Sequence, residues 1–170
     1  MSESTLAGKR VVLRPVRTED RLRLREMLVQ PEIARWWNPG GPDHSVDDWL
    51  ATEAGAVFAI ELDGVLVGSI QYAEENDPGC RHAGIDLFID TPHQGQGLGT
   101  DALRTLARHL FDVRAHHRLT IDPAAANERA IRAYRRLGFR PVGIMRAYER
   151  GQDGSWHDGL LLDLLAGELT

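Results

Sequence analysis

Cysteine is almost absent from this chain. Cys80 stands alone among 170 residues, so no disulfide can close within it. Its surroundings, Asp77-Pro78-Gly79-Cys80-Arg81-His82, are polar turn chemistry without a nucleophile motif, which favours an incidental thiol over a catalytic one. No apolar run approaches the roughly 18 residues needed to cross a bilayer, so no membrane partner is expected. Met1-Ser2-Glu3-Ser4-Thr5 lacks the basic and apolar stretches of a secretory leader. Together these absences point to the cytoplasm. Positive charge is also short: 20 Lys and Arg stand against 25 Asp and Glu, a formal net charge of −5. That balance disfavours a nucleic-acid partner, which needs a basic face, and suits a cationic ligand better. The seven histidines (His44, His82, His93, His109, His116, His117 and His157) form no His-Glu-x-x-His pattern and have no cysteine partners. No metal site is indicated, and surface roles are expected for them.

Hydrophobic residues make up 42% and charged residues 26%, an ordinary globular balance that fits one domain over residues 1–170. Periodicity supplies the elements. Arg10–Leu13 reads as a strand. Glu19–Leu28 reads as a helix with Leu22, Leu24, Met27 and Leu28 apolar and Pro31 closing it. Residues 31–46 are rich in breakers and read as a loop, followed by a short helix over Asp47–Glu53. Ala56–Glu61 and Val65–Tyr72 form a hairpin over the turn pair Asp63-Gly64. Glu74–Arg81 is a polar loop, and Ala83–Ile89 a strand in which Asp86 interrupts an apolar run. Leu98–Phe111 carries an apolar stripe of Leu98, Ala102, Leu103, Leu106, Ala107 and Leu110, with Asp101, Arg104 and Arg108 opposite. His117–Ile121, Phe139–Arg146 and Trp156–Leu165 are strands, and Asn127–Leu137 is a helix ended by Gly138. The order is mixed α/β.

Gln94-Gly95-Gln96-Gly97-Leu98-Gly99 joins the strand 83–89 to the strongest helix. Glycine leaves backbone N–H groups unshielded, and a helix start offers orphan amides with about half a positive charge. Such a turn can hold a diphosphate without lysine, or it can be a tight turn with nothing bound. A P-loop is excluded, because no Gly-Lys-Ser/Thr follows. A dinucleotide fingerprint is excluded too, because its third glycine would have to stand at Thr100.

Gln94-x-x-Gly97-x-Gly99 resembles the Q/R-x-x-G-x-G/A signature of the GNAT superfamily of N-acetyltransferases. Asn127-x-x-Ala130-x-x-x-Tyr134-x-x-x-Gly138-Phe139 resembles its second motif. The resemblance spans roughly residues 8–165 and implies a mostly antiparallel mixed sheet of six to seven strands flanked by helices. It also implies acetyl-CoA as cofactor, held by Phe88, Ile89, Gln94, Gly95, Gln96, Gly97, Leu98, Gly99, Thr100, Asn127, Ala130 and Tyr134. Acetyl transfer needs an amine stripped of its proton and a donor for the departing thiolate. Asp86 is the candidate base, unless it lies on a solvated strand face. Tyr134 is the candidate donor, unless it only packs with Ile131 and Leu137. Asn127 could contact the pantetheine amides, cap its helix, or both.

Trp36-Trp37, Gly84-Ile85-Asp86, Ile121-Asp122-Pro123 and the loop Glu74–Gly79 further resemble the aminoglycoside 6′-N-acetyltransferases. That likeness implies an acidic pocket in which Asp77, Asp86 and Asp122 hold ammonium groups beside a wall of Trp36 and Trp37. Turn formation at Asp77, strand termination at Asp122 and core packing of the tryptophans are the alternatives. Leu13–Asp20 and Asp153–Leu162 instead resemble enzymes that acetylate the amino termini of ribosomal proteins. A non-catalytic acyl-CoA-binding module is a third reading. A monomer and a homodimer are both compatible with the sequence.

Overall fold

The computed structural model describes residues 4–37, 46–47, 51 and 55–170. The helix expected over 47–53 and most of the loop 38–46 lie outside the described residues. Eight strands form one sheet: β1 (Leu6–Ala7), β2 (Val11–Pro15), β3 (Gly55–Leu62), β4 (Val65–Glu75), β5 (His82–Ile89), β6 (Arg118–Ile121), β7 (Arg140–Arg150) and β8 (Trp156–Leu165). Their order is β1-β2-β3-β4-β5-β6-β8-β7. The sheet exceeds the expected six to seven strands because Leu6–Ala7, too short to show a period, pairs with Val12 and Leu13. Every pairing is antiparallel except β5 with β6. Asp63 and Gly64 take φ of 50° and 78°, the left-handed pair that a tight hairpin turn demands.

Among the described residues four α-helices are bounded: α1 (Arg21–Leu28), α2 (Pro31–Ala34), α3 (Leu98–Asp112) and α4 (Glu128–Arg136). Pro31 does not close α1 into a loop, as its breaker character suggests. It occupies the first turn of α2, where a fixed φ is already helical and no amide is needed. The apolar stripe of α3 is fully buried against β2–β5, with Leu98, Ala102, Leu103, Leu106, Ala107 and Leu110 in one cluster with Phe58, Ile60 and Ile85. Each of those leucines contributes about 2 kcal/mol. A second cluster lies on the other face, where Leu24, Met27, Leu28 and Ile33 pack on Val57 and Phe88. Leu22 points to solvent at 67% exposure, so α1 is anchored by three apolar positions rather than four. With both faces covered, β3 reads as an unbroken apolar run, Ala56–Ile60.

Two polar residues depart from expectation. Asp101 is not on the solvent face of α3: it is 7% exposed, and its carboxylate accepts the amides of Lys9 (3.1 Å), Arg10 (2.7 Å) and Val11 (3.0 Å). His116 is not a surface histidine. It is 2% exposed, and its Nε2 lies 2.8 Å from Glu74, which also pairs with Arg114 at 2.7 Å. In both cases the partner lies 40 or more residues away along the chain, beyond the reach of a local pattern.

Burial alone would raise the Asp101 carboxyl, but the three amides outweigh it and hold its pKa below the usual value. Asp101→Ala should therefore cost about 3 kcal/mol by leaving those amides unpaired. A depressed folded-state pKa contributes stability at pH above about 4 that is lost as pH falls. Denaturant titrations should show the gap between parent and variant narrowing as pH is lowered from about 5 toward 2.

Candidate active site

The glycine turn is a preformed anion cradle. Gly95 and Gly97 adopt φ of 76° and 78°, and Gly97 is the residue that opens α3. The first intrahelical bond runs from the Asp101 amide to the Gly97 carbonyl at 3.0 Å. The amides of Leu98, Gly99 and Thr100 precede it, and no side chain caps them. A Cβ on Gly99 would lie 3.4 Å from Ile89 and 3.5 Å from Leu87, so α3 faces β5 here at ordinary packing distance. The Gln94 side chain faces inward, with Nε2 donating to the Ile89 carbonyl at 2.8 Å and Oε1 accepting from Arg129 at 3.1 Å. The Gln96 side-chain amide donates to the Pro92 carbonyl, and the Gln96 backbone carbonyl accepts from Arg10.

The cleft beside this cradle exists because β5 and β6 part. They pair only at Ala83↔Leu119 and Gly84↔Thr120, leaving the rest of β5 open on that edge. The opening is a cleft of about 480 Å³. Leu87, Phe88 and Ile89 line it with Gln94, Gly95, Gly97, Leu98, Gly99 and Thr100. Asn127, Ala130 and Tyr134 line it from α4, and Trp36 and Trp37 from beyond α2. Asn127 caps α4, accepting the Ala130 amide at 3.3 Å. Gln96 is the one predicted cofactor residue that does not line the cleft. Four basic residues do line it: Arg35, His93, Arg129 and Arg136.

A second recess of about 260 Å³ shares Trp36, Trp37, Leu87, Asn127 and Tyr134 with the cleft and so continues it. Asp86, Asp122, Tyr148 and Glu149 also line it, with residues 121, 123 and 124, and no basic side chain lines it among the described residues. The open question of the Asp86 face is resolved by its neighbours. Phe88 and Asp90 share its face and are buried under α1 and α2, and Trp37 meets Phe88 edge-on at 5.2 Å. Asp86 lies beyond that cover, open to water in the recess yet crowded by protein. Burial first, then the charges of Asp122 and Glu149, push its carboxyl up to about 6, against a 3.5 Å hydrogen bond from Gln71. Tyr134 is raised by burial and by the same two aspartates, Asp86 and Asp122, so its phenol stays protonated through neutral pH.

Tyr148 and Glu149 escaped the sequence reading. The β7–β8 register shifts between Met145 and Glu149, and Ala147 takes a left-handed φ of 47°. Asp158 fixes that bulge by accepting the Ala147 amide at 2.8 Å. The Tyr148 ring then lies against Gly159, where a Cβ would sit 2.8 Å away, and its hydroxyl donates to Asp122. Burial and the Asp122 charge raise the Glu149 carboxyl. No residue pattern signals a bulge at an alanine. Asp77, in contrast, does not line the recess. Its carboxylate accepts the Gly79 amide at 2.7 Å, the turn chemistry weighed against a substrate role.

Comparison with known proteins agrees with this geometry. Residues 10–140 match the acetyltransferase (GNAT) domain family. The chain is 31% identical to aminoglycoside N(6′)-acetyltransferase type 1 of Klebsiella pneumoniae, over 83% of this chain and 79% of that protein. It is 28% identical to spermidine N(1)-acetyltransferase of Escherichia coli K12, over 78% and 74%. In structure it is similar to Mycobacterium smegmatis RimJ in complex with CoA-disulfide, with a TM-score of 0.88, 26% identity, and coverage of 98% and 89%.

The two glycines of the turn should answer differently to alanine. At Gly97 nothing stands within 4 Å of a new Cβ, so the cost is the left-handed backbone alone, about 1–2 kcal/mol. At Gly99 the Cβ meets ordinary contacts inside a helix, so stability should stay within about 1 kcal/mol of the parent. Chemical denaturation of both variants checks the contrast.

Proposed function

The chain belongs to the GNAT acetyltransferase family and is an acetyl-CoA-dependent N-acetyltransferase, and from that premise we propose that its acceptor is a primary amine on a polycationic small molecule. The observation that carries this reading is the recess holding Asp86, Asp122 and Glu149 without a basic side chain among the described residues. One carboxylate suffices to act as a base. Three in one recess without a counter-ion favour a ligand that brings several positive charges. The aminoglycoside and spermidine enzymes similar to this chain act, by their names, on molecules of that kind.

The residues present fit the cofactor. Uncapped amides at 98–100 suit its diphosphate, and the cleft past Asn127 and Ala130 suits an extended arm. Acetyl-CoA supplies an activated thioester. Asp86 binds the acceptor ammonium and takes its proton, directly or through water. A carboxyl near 6 does this at neutral pH and still retains some basicity. Tyr134 lines both the cleft and the recess, and its phenol would supply the proton to the thiolate that leaves when the amine takes the acetyl carbon. Trp36 and Trp37 form the aromatic wall of the acceptor side.

A second reading has its own support. The resemblance of residues 13–20 and 153–162 to enzymes that acetylate the amino termini of ribosomal proteins favours such a terminus as acceptor. An acceptor panel of aminoglycosides, spermidine and short peptides, followed by release of CoA thiol, separates the two. Turnover is expected to favour the polycations. Preference for peptides would move the assignment to the second reading, and the absence of acceptor-dependent thiol release across the panel would remove both.

Asp86→Asn should lower kcat/KM by about 10²–10⁴-fold while CoA affinity, read by calorimetry, stays at the parent value. Because the base works deprotonated, kcat/KM should fall as pH drops through about 6. Asp122→Asn removes a charge that raises Asp86, so the acid limb should move to lower pH. An acid limb unmoved in that variant would reject the coupling of the two carboxylates.

A further inference from the structure

Of the four basic residues that line the cofactor cleft, two are already engaged by acids. His93 lies 3.4 Å from Asp90, and Arg35 lies 3.3 Å from Glu32. Arg129 is different. No carboxylate pairs with it among the described residues, although its neighbour Glu128 pairs with Arg132 at 3.3 Å. The hydrogen bond that Arg129 makes is to a neutral acceptor, Gln94 Oε1, at 3.1 Å. Its second terminal nitrogen sits 3.8 Å from the point where a Cβ on Gly95 would be. The guanidinium therefore lies over the glycine turn itself, reaching from the first turn of α4. Arg136 also lacks a carboxylate partner among the described residues. It stands seven residues further on, about 10 Å along the helix from Arg129.

Gln94 looks inward in a way its place in the glycine signature does not anticipate. Its Nε2 is fixed on the Ile89 carbonyl, so its Oε1 is held as a rest for the arginine. A guanidinium has five N–H donors, and this bond uses one. The others remain for an anion seated on the amides of Leu98, Gly99 and Thr100.

We propose that Arg129 is the cation that binds the cofactor's diphosphate, closing over it from α4, and that Gln94 is the positioning residue that aims it. The proposal rests on acetyl-CoA being the donor. It assigns an electrostatic contact to a residue outside the glycine signature, and it makes the cradle two-sided, with backbone amides below and a side-chain charge above. A neutral acceptor is the right partner for such an arm. A carboxylate in place of Gln94 would hold the guanidinium more tightly and cancel the charge that the diphosphate needs.

The test compares two donors, acetyl-CoA and acetyl-pantetheine, which carries the same thioester without any phosphate. Arg129→Gln should lower kcat/KM for acetyl-CoA by about tenfold and leave that for acetyl-pantetheine within about twofold of the parent. Arg129→Lys should recover part of the loss, and Gln94→Leu should give a smaller loss confined to acetyl-CoA. Raising the salt concentration should weaken acetyl-CoA use more in the parent than in Arg129→Gln. Equal losses on both donors, or no loss on either, would overturn the assignment. Calorimetry with CoA keeps this inference apart from the proposed function. If the parent fails to bind CoA, the donor assignment falls with everything built on it. If parent and Arg129→Gln bind CoA equally, only the role of Arg129 falls.

Discussion

The parting of two strands is the constraint on which the rest of the molecule depends. β5 and β6 begin side by side, share two residue pairs and separate. Backbone groups left without a ladder partner are costly in a protein interior, so such a gap persists only where the surroundings hold it open or a ligand fills it. Here the surroundings do much of the holding. On one face α3 is packed on the sheet by its leucine stripe, and its Asp101 is tied to the start of β2 by the amides of residues 9–11. At the end of β5, Asp90 is fully buried and tied to Arg23 and Gln30, which fixes α1 and the start of the glycine turn to the same strand. On the far side, β8 pairs with β6 over four residues and carries β7 with it. The gap is thus wedged between two rigid blocks.

Electrostatics then divides the opening. The glycine turn presents helix-start amides and Arg129, while the recess past Tyr134 gathers Asp86, Asp122 and Glu149. These carboxylates are not paired with cations among the described residues, unlike Asp20 with Arg14 or Glu74 with Arg114 elsewhere in the chain. Burial and the Asp122 charge raise Asp86 and Glu149, whereas the paired Asp20 and Glu74 are lowered despite their burial. Asp20 and Glu74 are satisfied by internal cations, whereas in the recess Asp122 accepts the neutral Tyr148 hydroxyl and Asp86 the neutral Gln71 amide. That contrast marks the recess as a candidate site.

The elements that were legible in the residue pattern are those whose cause is local. The α3 stripe, the Asp63-Gly64 hairpin, the Asn127 cap and the glycine turn each arise from residues close together along the chain. What stayed hidden has a distant cause. Asp101 reads as a solvent-facing acid until β1 and β2 bring three amides to it from 90 residues away. His116 reads as a surface residue until Glu74 arrives from β4. Pro31 reads as a breaker because it opens a helix of only four residues, Pro31–Ala34, too short to show an apolar period of its own. Strand alternation left the face of Asp86 undecided, since only the cover of α1 and α2 on Phe88 and Asp90 distinguishes core from recess.

The same distinction separates the two halves of the site. The donor half is drawn mainly from two short stretches, 87–100 and 126–137, so its chemistry can be read from spacing. The recess is assembled from Trp36 and Trp37, Asp86, Asp122, and Tyr148 with Glu149, four places that meet only in the folded sheet. Its last pieces depend on a bulge at Ala147, held by Asp158 and seated against Gly159, with nothing in the residue pattern to announce it. β7 lies at the sheet edge, where a one-residue shift disturbs no strand beyond β8. Under the proposed function, acceptor choice would rest with the edge strand and the recess, and donor choice with the centre of the sheet.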